Sequence, residues 1–466
     1  MQVPPGVAAG HPATVEVGIQ VLRMGGTAAD AAVAATFAAC ASETIFTGLT
    51  GGGFATYYDA STREVTCLDF FCSVPGLDGD LVPGPMHPIA VRFGDVPLPY
   101  EIGGASVAVP GLAAGCGEIH QRWGRLPWAD VLGPATALAR DGVPIPDAQA
   151  RAIPMLVEAM LLDQGGPAYA PGGRILTGGD RLFHPGLMDA FELVVKHGPS
   201  TLYDGELGRL MVETVRADGG AMGLADLNGY RVIEREVVSA EFSDLAVFGR
   251  HDLNQTVATI RSLPQSLPSM PLDERAVQLA KTISGGAPDG LGDTTNVTAV
   301  DRLGNACVIT TTLGLGAGVW LPGYGVHLNS MLGEGELNVA EPVAGERVGS
   351  MMCPLVVLDG DGALRLALGS AGASRIRSAL IQTLINVVVG KMPVRDAVYA
   401  PRLHAADGLV HVEPGFPREQ TRAIAEAGFE INQWTIPYHH YFGGVSAVGS
   451  AGCGADPRRD GAALLV

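Results

Sequence analysis

The stretch Asp293-Thr294-Thr295-Asn296-Val297-Thr298-Ala299-Val300-Asp301-Arg302-Leu303-Gly304-Asn305-Ala306-Cys307-Val308-Ile309-Thr310-Thr311-Thr312 reads as a β-hairpin. Both arms are rich in Val, Ile and Thr, whose branched side chains suit a pleated strand. Asp301 to Asn305, with Gly304, supply the turn. A turn centred on Leu303 sets Thr294 opposite Thr312. Opposed residues of a ladder share a face, with Cβ atoms about 4.5–5.5 Å apart. Two hydroxyls then meet at the mouth of the hairpin. A threonine in such a place becomes a nucleophile carrying its own base if the chain is cut before it, because the freed α-amino group takes the proton. Taken alone, the same residues are ordinary for a half-buried strand.

A second hairpin follows. Asp359-Gly360-Asp361-Gly362 is its turn and Leu364 to Leu368 its return strand. That strand leads into Gly369-Ser370-Ala371-Gly372-Ala373-Ser374, and an apolar helix is predicted over 375–389. A helix N-terminus presents unpaired N–H groups at a positive dipole end. The backbone N–H groups of Gly372 and Ala373 are therefore candidates to stabilise an oxyanion; without a nucleophile nearby the unit is a plain strand–helix connection.

Working outward, residues 11–42 predict two helices parted by Gly25-Gly26, with Thr27 capping the second. The run Gly51-Gly52-Gly53 leads into a strand at 54–58; no Gly-Lys-Ser/Thr follows, so it is no phosphate loop. Residues 105–142 predict a Val109-Pro110-Gly111 turn and two helices, 185–220 are largely helical, and 230–250 form strands. The uncharged, Pro- and Ser-rich stretch 263–271 reads as a loop or linker, where a processed chain needs an exposed segment. Strand signals recur at 319–328 and 354–358.

Composition bounds the function. The 466 residues suffice for a sizeable core, and only 17% are charged, which excludes disorder. A net charge of −18 with no basic run excludes a nucleic-acid surface. The seven cysteines are scattered and form no CxxC, so neither a disulfide framework nor a metal site is expected, and they read as small buried hydrophobes. No organic cofactor is implied. His439-His440 are read as surface or loop residues beside Tyr441. The N-terminus has no signal-peptide pattern, and the most apolar early run is too short to span a bilayer, so a soluble, cytoplasmic protein is expected.

The order of these motifs resembles the γ-glutamyltranspeptidase family of N-terminal-nucleophile hydrolases. The likeness starts at Gly25-Gly26-Thr27-Ala28-Ala29-Asp30 and continues through Gly48 to Phe54, Val109-Pro110-Gly111 and Asp226-Leu227-Asn228-Gly229-Tyr230. It is clearest at Thr294-Thr295, Gly369 to Ile376, Ala400-Pro401-Arg402 and Asp456-Pro457-Arg458. The resemblance implies an α/β (α+β) fold, a four-layer αββα sandwich. It implies a precursor that cuts itself before Thr294. Residues 1–293 would form a large subunit, with a processing linker at about 262–293, and 294–466 a small one, both within one domain. Thr294 would be the nucleophile, Thr312 its hydroxyl partner, and Gly372 and Ala373 the oxyanion hole, with Ala373 standing where the family has a second glycine.

The substrate pocket departs from that pattern. The family's carboxylate-clamping Arg is replaced, after Asp69-Phe70, by Phe71. The Asn two positions past the second threonine corresponds to Gly314. Met331 replaces a polar group, Glu334 stands where an Asp would hold the substrate amino group, and Ser350-Met351 retains one of two carboxylate-binding serines. Asn296 stands for a His or Tyr. Phe71, Met331 and Met351 make an apolar pocket that suits a γ-glutamyl group poorly, unless Arg377 or another residue restores a charge. The expected function is a self-processing threonine hydrolase or acyltransferase acting on another small molecule. The alternatives are a relative that cleaves a carbon–carbon bond in antibiotic biosynthesis and a non-catalytic binding module. A homo-oligomer is compatible with all three.

Overall fold

A computed structural model describes residues 2–93, 96–285, 294–337, 341–406 and 408–466. Two antiparallel sheets are stacked. One has seven strands in the order Ala462–Leu465, Gly6–Ala9, Thr295–Val300, Ala306–Thr312, Gly52–Asp59, Glu64–Phe70, Ile233–Arg235. The other has six, in the order Gly452–Ala455, Gly444–Gly449, Leu364–Ala371, Leu355–Asp359, Leu245–Arg250, Val237–Phe242. Helices α1 (Pro12–Arg23) and α2 (Ala28–Ser42) cover the first sheet, and the Arg375–Val388 helix covers the second. This is the αββα sandwich.

The period of two along the hairpin arms explains the layers. Val297, Ala299, Cys307 and Ile309 point into the core shared with α2. Val300, Ala306 and Val308 point the other way, against Val356, Leu358 and Ala367 of the second sheet. The register pairs Thr295 with Thr311 and Val300 with Ala306, so one further step outward sets Thr294 opposite Thr312, as a turn centred on Leu303 requires.

Helix α2 is buried on every side, which fits a stretch that is mostly alanine. Thr27 and Asp30 form its capping box: the Asp30 carboxylate accepts from Thr27 N at 2.9 Å, and Thr27 Oγ1 accepts from Asp30 N at 3.1 Å. Asp301, in the hairpin turn, accepts from Ala28 N at 3.0 Å. The helix is thereby fixed to the turn end of the hairpin.

Each sheet combines strands from before and after residue 293, and in the seven-stranded sheet Gly6–Ala9 is inserted between Ala462–Leu465 and Thr295–Val300. The expected linker at 262–293 is in large part ordered: Leu272–Ser284 is a helix whose Ala276, Leu279, Ala280 and Ile283 are buried. That spacing is one apolar helix face, and burying it outweighs the breaker-rich residues before it. Residues 286–293 of the linker, including Asp293 at the expected cut, lie outside the described residues. His439 and His440 are not both surface residues: His440 is buried in a short 3₁₀ turn, and the His439 ring accepts from Tyr441 N at 3.2 Å. Packing against Trp434 and Tyr441 draws this segment inward. Of the cysteines, all but the half-buried Cys453 are buried, and all seven are free thiols. Among the described residues, no helix is long and apolar enough to cross a membrane and no His/Cys/Asp/Glu group is arranged to hold a metal.

The C-terminal segment is pinned by a buried charge cluster. Arg402 donates to Asp456 at 2.6 Å, and Arg458 donates to Asp456 at 2.9 Å and to Glu413 Oε1 at 2.9 Å. Asp456 also accepts from Val445 N at 2.8 Å. Removing one partner leaves an uncompensated buried charge. Glu413→Ala should therefore destabilise the fold by about 3–5 kcal/mol, read from the midpoint of urea denaturation.

Candidate active site

Thr294 sits at the start of the first hairpin arm and Thr312 at the end of the second, both buried. They face the space between the two sheets, as do Asn296 and Thr310. Asn296 accepts from Thr310 Oγ1 at 2.7 Å and donates to Thr298 Oγ1 at 3.0 Å; Thr298 in turn donates to the Ser446 carbonyl at 2.9 Å. This chain ties the hairpin to the second sheet. A Cβ on Gly369 would lie 2.0 Å from Asn296 Oδ1, so the glycine makes room for the amide. Thr312 Oγ1 accepts from Gly314 N at 2.9 Å.

A narrow cleft opens at this end of the sandwich. Its walls are Thr294, Thr312, Ala373 and Ile376 on one side, with Phe71, Glu334, Leu337, Ser350, Met351 and Met352 around the rest. It therefore brings together seven of the nine expected site residues. The space open to a water's centre is about 20 Å³, roughly one water.

Gly372 and Met331 do not line the cleft. Gly372 lies just behind Ala373, where an added Cβ would meet the Gly443 backbone at 2.8 Å. Met331 is fully buried, and its Cε would lie 2.7 Å from a Cβ on Gly314, beside Tyr100 Oη and Ser330 Oγ. The larger methionine and tyrosine thus occupy the space that an asparagine at 314 would need. Gly314 also has φ 74°, a conformation that favours glycine.

Phe71 packs on Phe54 with ring centroids 5.5 Å apart, and the Arg250 guanidinium lies 3.7 Å over the far ring. The Phe71 carbonyl accepts from Tyr230 Oη at 2.8 Å, and Asp69 is occupied by Arg235 and Arg347. Arg377 does not restore a charge to the cleft. Its guanidinium donates to the Asn254 carbonyl at 3.2 Å and to the Ile283 carbonyl. Of the described residues lining the cleft, none carries a positive charge, and Glu334 is the one acidic side chain.

The strand–helix turn beside the cleft is held in a sparsely populated conformation. Gly372 has φ 116° and Ala373 φ 47°. The Asn254 amide donates to the Ala373 and Ser374 carbonyls at 3.3 and 3.2 Å, which holds the turn from outside.

Behind the hairpin lies a second set of contacts that the motifs do not mark. Thr295 and Thr311 face α2. Thr295 Oγ1 donates to Glu43 Oε2, and Thr14 Oγ1 donates to Glu43 Oε1 at 2.7 Å. Thr311 Oγ1 lies 3.2 Å from Thr47 Oγ1 and donates to the Gly52 carbonyl at 2.9 Å. Burial pushes the Glu43 carboxyl up from its ordinary value, against the hydrogen bonds from Thr295 and Thr14 and the charge of Arg459. The signal for Glu43 was present in the sequence: it is the only charged residue between Asp30 and Asp59.

Comparison with known proteins bears on the family and the fold. A family model described as Gamma-glutamyltranspeptidase matches residues 14–285 and 266–466. The chain is 29% identical to an Acylase ACY 1 proenzyme of Pseudomonas sp. (strain V22), over 91% of this chain and 87% of that one. It is 26% identical to the Glutathione hydrolase proenzyme of Bacillus subtilis (strain 168), over 98% and 91%. A cephalosporin acylase from Bacillus halodurans superposes with a TM-score of 0.82 at 20% identity, over 100% of this chain and 96% of that one, which shows the fold.

A methyl group is tolerated at φ 47°, whereas a β-branched side chain is a steric outlier there. Ala373→Gly should keep the fold and the activity. Ala373→Val should lower the stability by at least about 1–2 kcal/mol, seen as a lower thermal midpoint by circular dichroism.

Proposed function

The chain belongs to the gamma-glutamyltranspeptidase family, and from that premise we propose that it is an amide-cleaving acylase whose acyl substrate is apolar and lacks the α-carboxylate of a γ-glutamyl group. That it is a self-processing N-terminal-nucleophile hydrolase or acyltransferase follows from its relatives. The substrate reading rests on one observation: the cleft beside Thr294 is walled by Phe71, Leu337, Met351, Met352 and Ile376, and no described residue lining it carries a positive charge to pair with a carboxylate, Ser350 being left as a neutral donor. A carboxylate held there would be desolvated without an opposite charge, at a cost of several kcal/mol. Glu334 suits an amino group or another hydrogen-bond donor on the acyl part. The acylase among the relatives is in keeping with this choice.

In this reading the Thr294 hydroxyl first attacks the carbonyl carbon of residue 293. The peptide nitrogen leaves as the acyl group moves to oxygen, and water hydrolyses the resulting ester. The cut divides the chain into 1–293 and 294–466 and frees the Thr294 α-amino group. That amine then takes the hydroxyl proton when Thr294 attacks the substrate amide, and it returns a proton to the departing amine. The N–H groups of Gly372 and Ala373 stabilise the oxyanion, a contribution of about 2.7–4 kcal/mol per donor. Thr312 orients the nucleophile across the ladder. Water, or a second amine, finally takes the acyl group from Thr294.

Intact-mass measurement with N-terminal sequencing should give two fragments, the smaller starting at Thr294, and Thr294→Ala should stay whole. A single uncut chain in the folded wild type would overturn the reading. In a substrate panel, amides of apolar acids should turn over with kcat/KM at least about 100-fold above γ-glutamyl-p-nitroanilide, the size expected for losing a charged contact of about 3 kcal/mol. Efficient γ-glutamyl turnover would sink the substrate assignment.

A further inference from the structure

We propose that Glu43 is a positioning residue for the nucleophile: by accepting the Thr295 hydroxyl it fixes the strand one residue after Thr294 and so sets the direction of the Thr294 side chain. This rests on Thr294 being the nucleophile. Glu43 is 1% exposed and follows directly on α2, where the negative dipole end opposes a carboxylate. A buried carboxylate in such a place costs stability, and a neutral residue would pack there at less cost. What it gains is a fixed geometry. The Thr295 hydroxyl bonds to Oε2, Thr14 holds Oε1 at 2.7 Å, and Thr14 Oγ1 lies 2.9 Å from Ser42 Oγ. The carboxylate plane is therefore set from two sides. A Cβ on Gly10 would lie 2.4 Å from Oε2, so the backbone just after the strand Gly6–Ala9 closes the third side.

Alternation along the strand carries the effect to the cleft. Residues 294 and 295 point to opposite faces, so a fixed Thr295 rotamer leaves Thr294 aimed into the space between the sheets. Thr47 treats the other arm alike through Thr311, the direct ladder partner of Thr295. The turn after α2 thus grips both arms one residue behind the mouth.

The ionisable groups that face Glu43 are few. Arg459, from the C-terminal 3₁₀ turn, favours the carboxylate, and Cys40, on α2 itself, is a buried thiol. Because burial raises the Glu43 carboxyl, the carboxylate form is lost earlier on acidification than for an exposed glutamate. The precursor should cut more slowly below that point. The same shift makes Glu43 cost stability as pH rises from the unfolded value through the folded one. Glu43→Gln should remove both dependences.

The test measures the first-order rate at which newly made precursor is cut, and kcat and KM of the cut enzyme. Thr295→Val keeps the branched shape and removes the hydroxyl. It should cut about 10- to 100-fold more slowly, with kcat reduced and KM retained. Glu43→Gln should do the same and flatten the acid limb of the cutting rate. Thr295→Ser restores the hydroxyl and should recover the wild-type rate. If Glu43→Gln fails to fold, the Thr295 pair decides alone. Equal cutting rates and equal kcat in wild type and Thr295→Val overturn the proposal while leaving Thr294 as the nucleophile. A wild-type chain that never cuts overturns both.

Discussion

The grip of α2 on the Thr294–Thr312 hairpin is the contact on which the rest of the site depends. The helix has 15 residues, and the arm from Thr295 to Val300 has six. Their lengths are comparable, roughly 20 Å for each. Helix and hairpin are joined by polar contacts at both ends and by apolar contacts between. Asp301 in the turn accepts from Ala28 N at the start of the helix, and Glu43 and Thr47 meet Thr295 and Thr311 just beyond its end. Alanine lining throughout lets the helix lie close to the sheet. A single slip of register would turn Thr294 and Thr312 away from the cleft and bring Thr295 and Thr311 into it. The contacts at both ends oppose that slip.

The second sheet supplies the other half of the candidate site, where a left-handed turn stands beside an apolar wall. Ala373 keeps the left-handed turn that a glycine would adopt more easily, so this conformation is held against a steric cost of about 1–2 kcal/mol. Asn254 holding two carbonyls of the turn is the visible restraint. The residues around the cleft fit one another as a group. Gly314, Met331 and Tyr100 fit one another, and Phe71 stacks with Phe54 under Arg250. A lone Phe71→Arg substitution would meet this packed apolar wall with a desolvated charge.

Much of this was legible in the sequence because two periodicities carry it. The hairpin register followed from the turn residues and the alternation of Val, Ile and Thr, and α2 from Thr27 and the alanine run. Other features needed the third dimension. The helix over Leu272–Ser284 shows its apolar face in Ala276, Leu279, Ala280 and Ile283, yet the prolines before it dominated the reading. Met331 sits in a motif aligned with the pocket, but its side chain fills the volume left by Gly314 and so turns from the cleft. His440 is buried where Trp434 packs on its neighbours His439 and Tyr441, a cluster that no regular periodicity marks. Glu43 stood out only as an isolated charge, since nothing local says which strand it will meet 252 residues later.

Interleaving explains how a chain of this topology could be cut and still hold its site. The first strand, Gly6–Ala9, lies between Thr295–Val300 and the C-terminal strand Ala462–Leu465. A break before Thr294 would thus separate two pieces that share both sheets and every core layer. The buried cluster of Arg402, Asp456, Arg458 and Glu413 lies wholly after the break and fixes the end of the chain to the second sheet through Val445. From there Arg459 carries a positive charge toward Glu43. The carboxylate behind Thr294 therefore depends on contacts from the N-terminal helices, the hairpin and the C-terminus at once. That convergence would let the cut end of the strand keep its direction after the bond that led into it has gone.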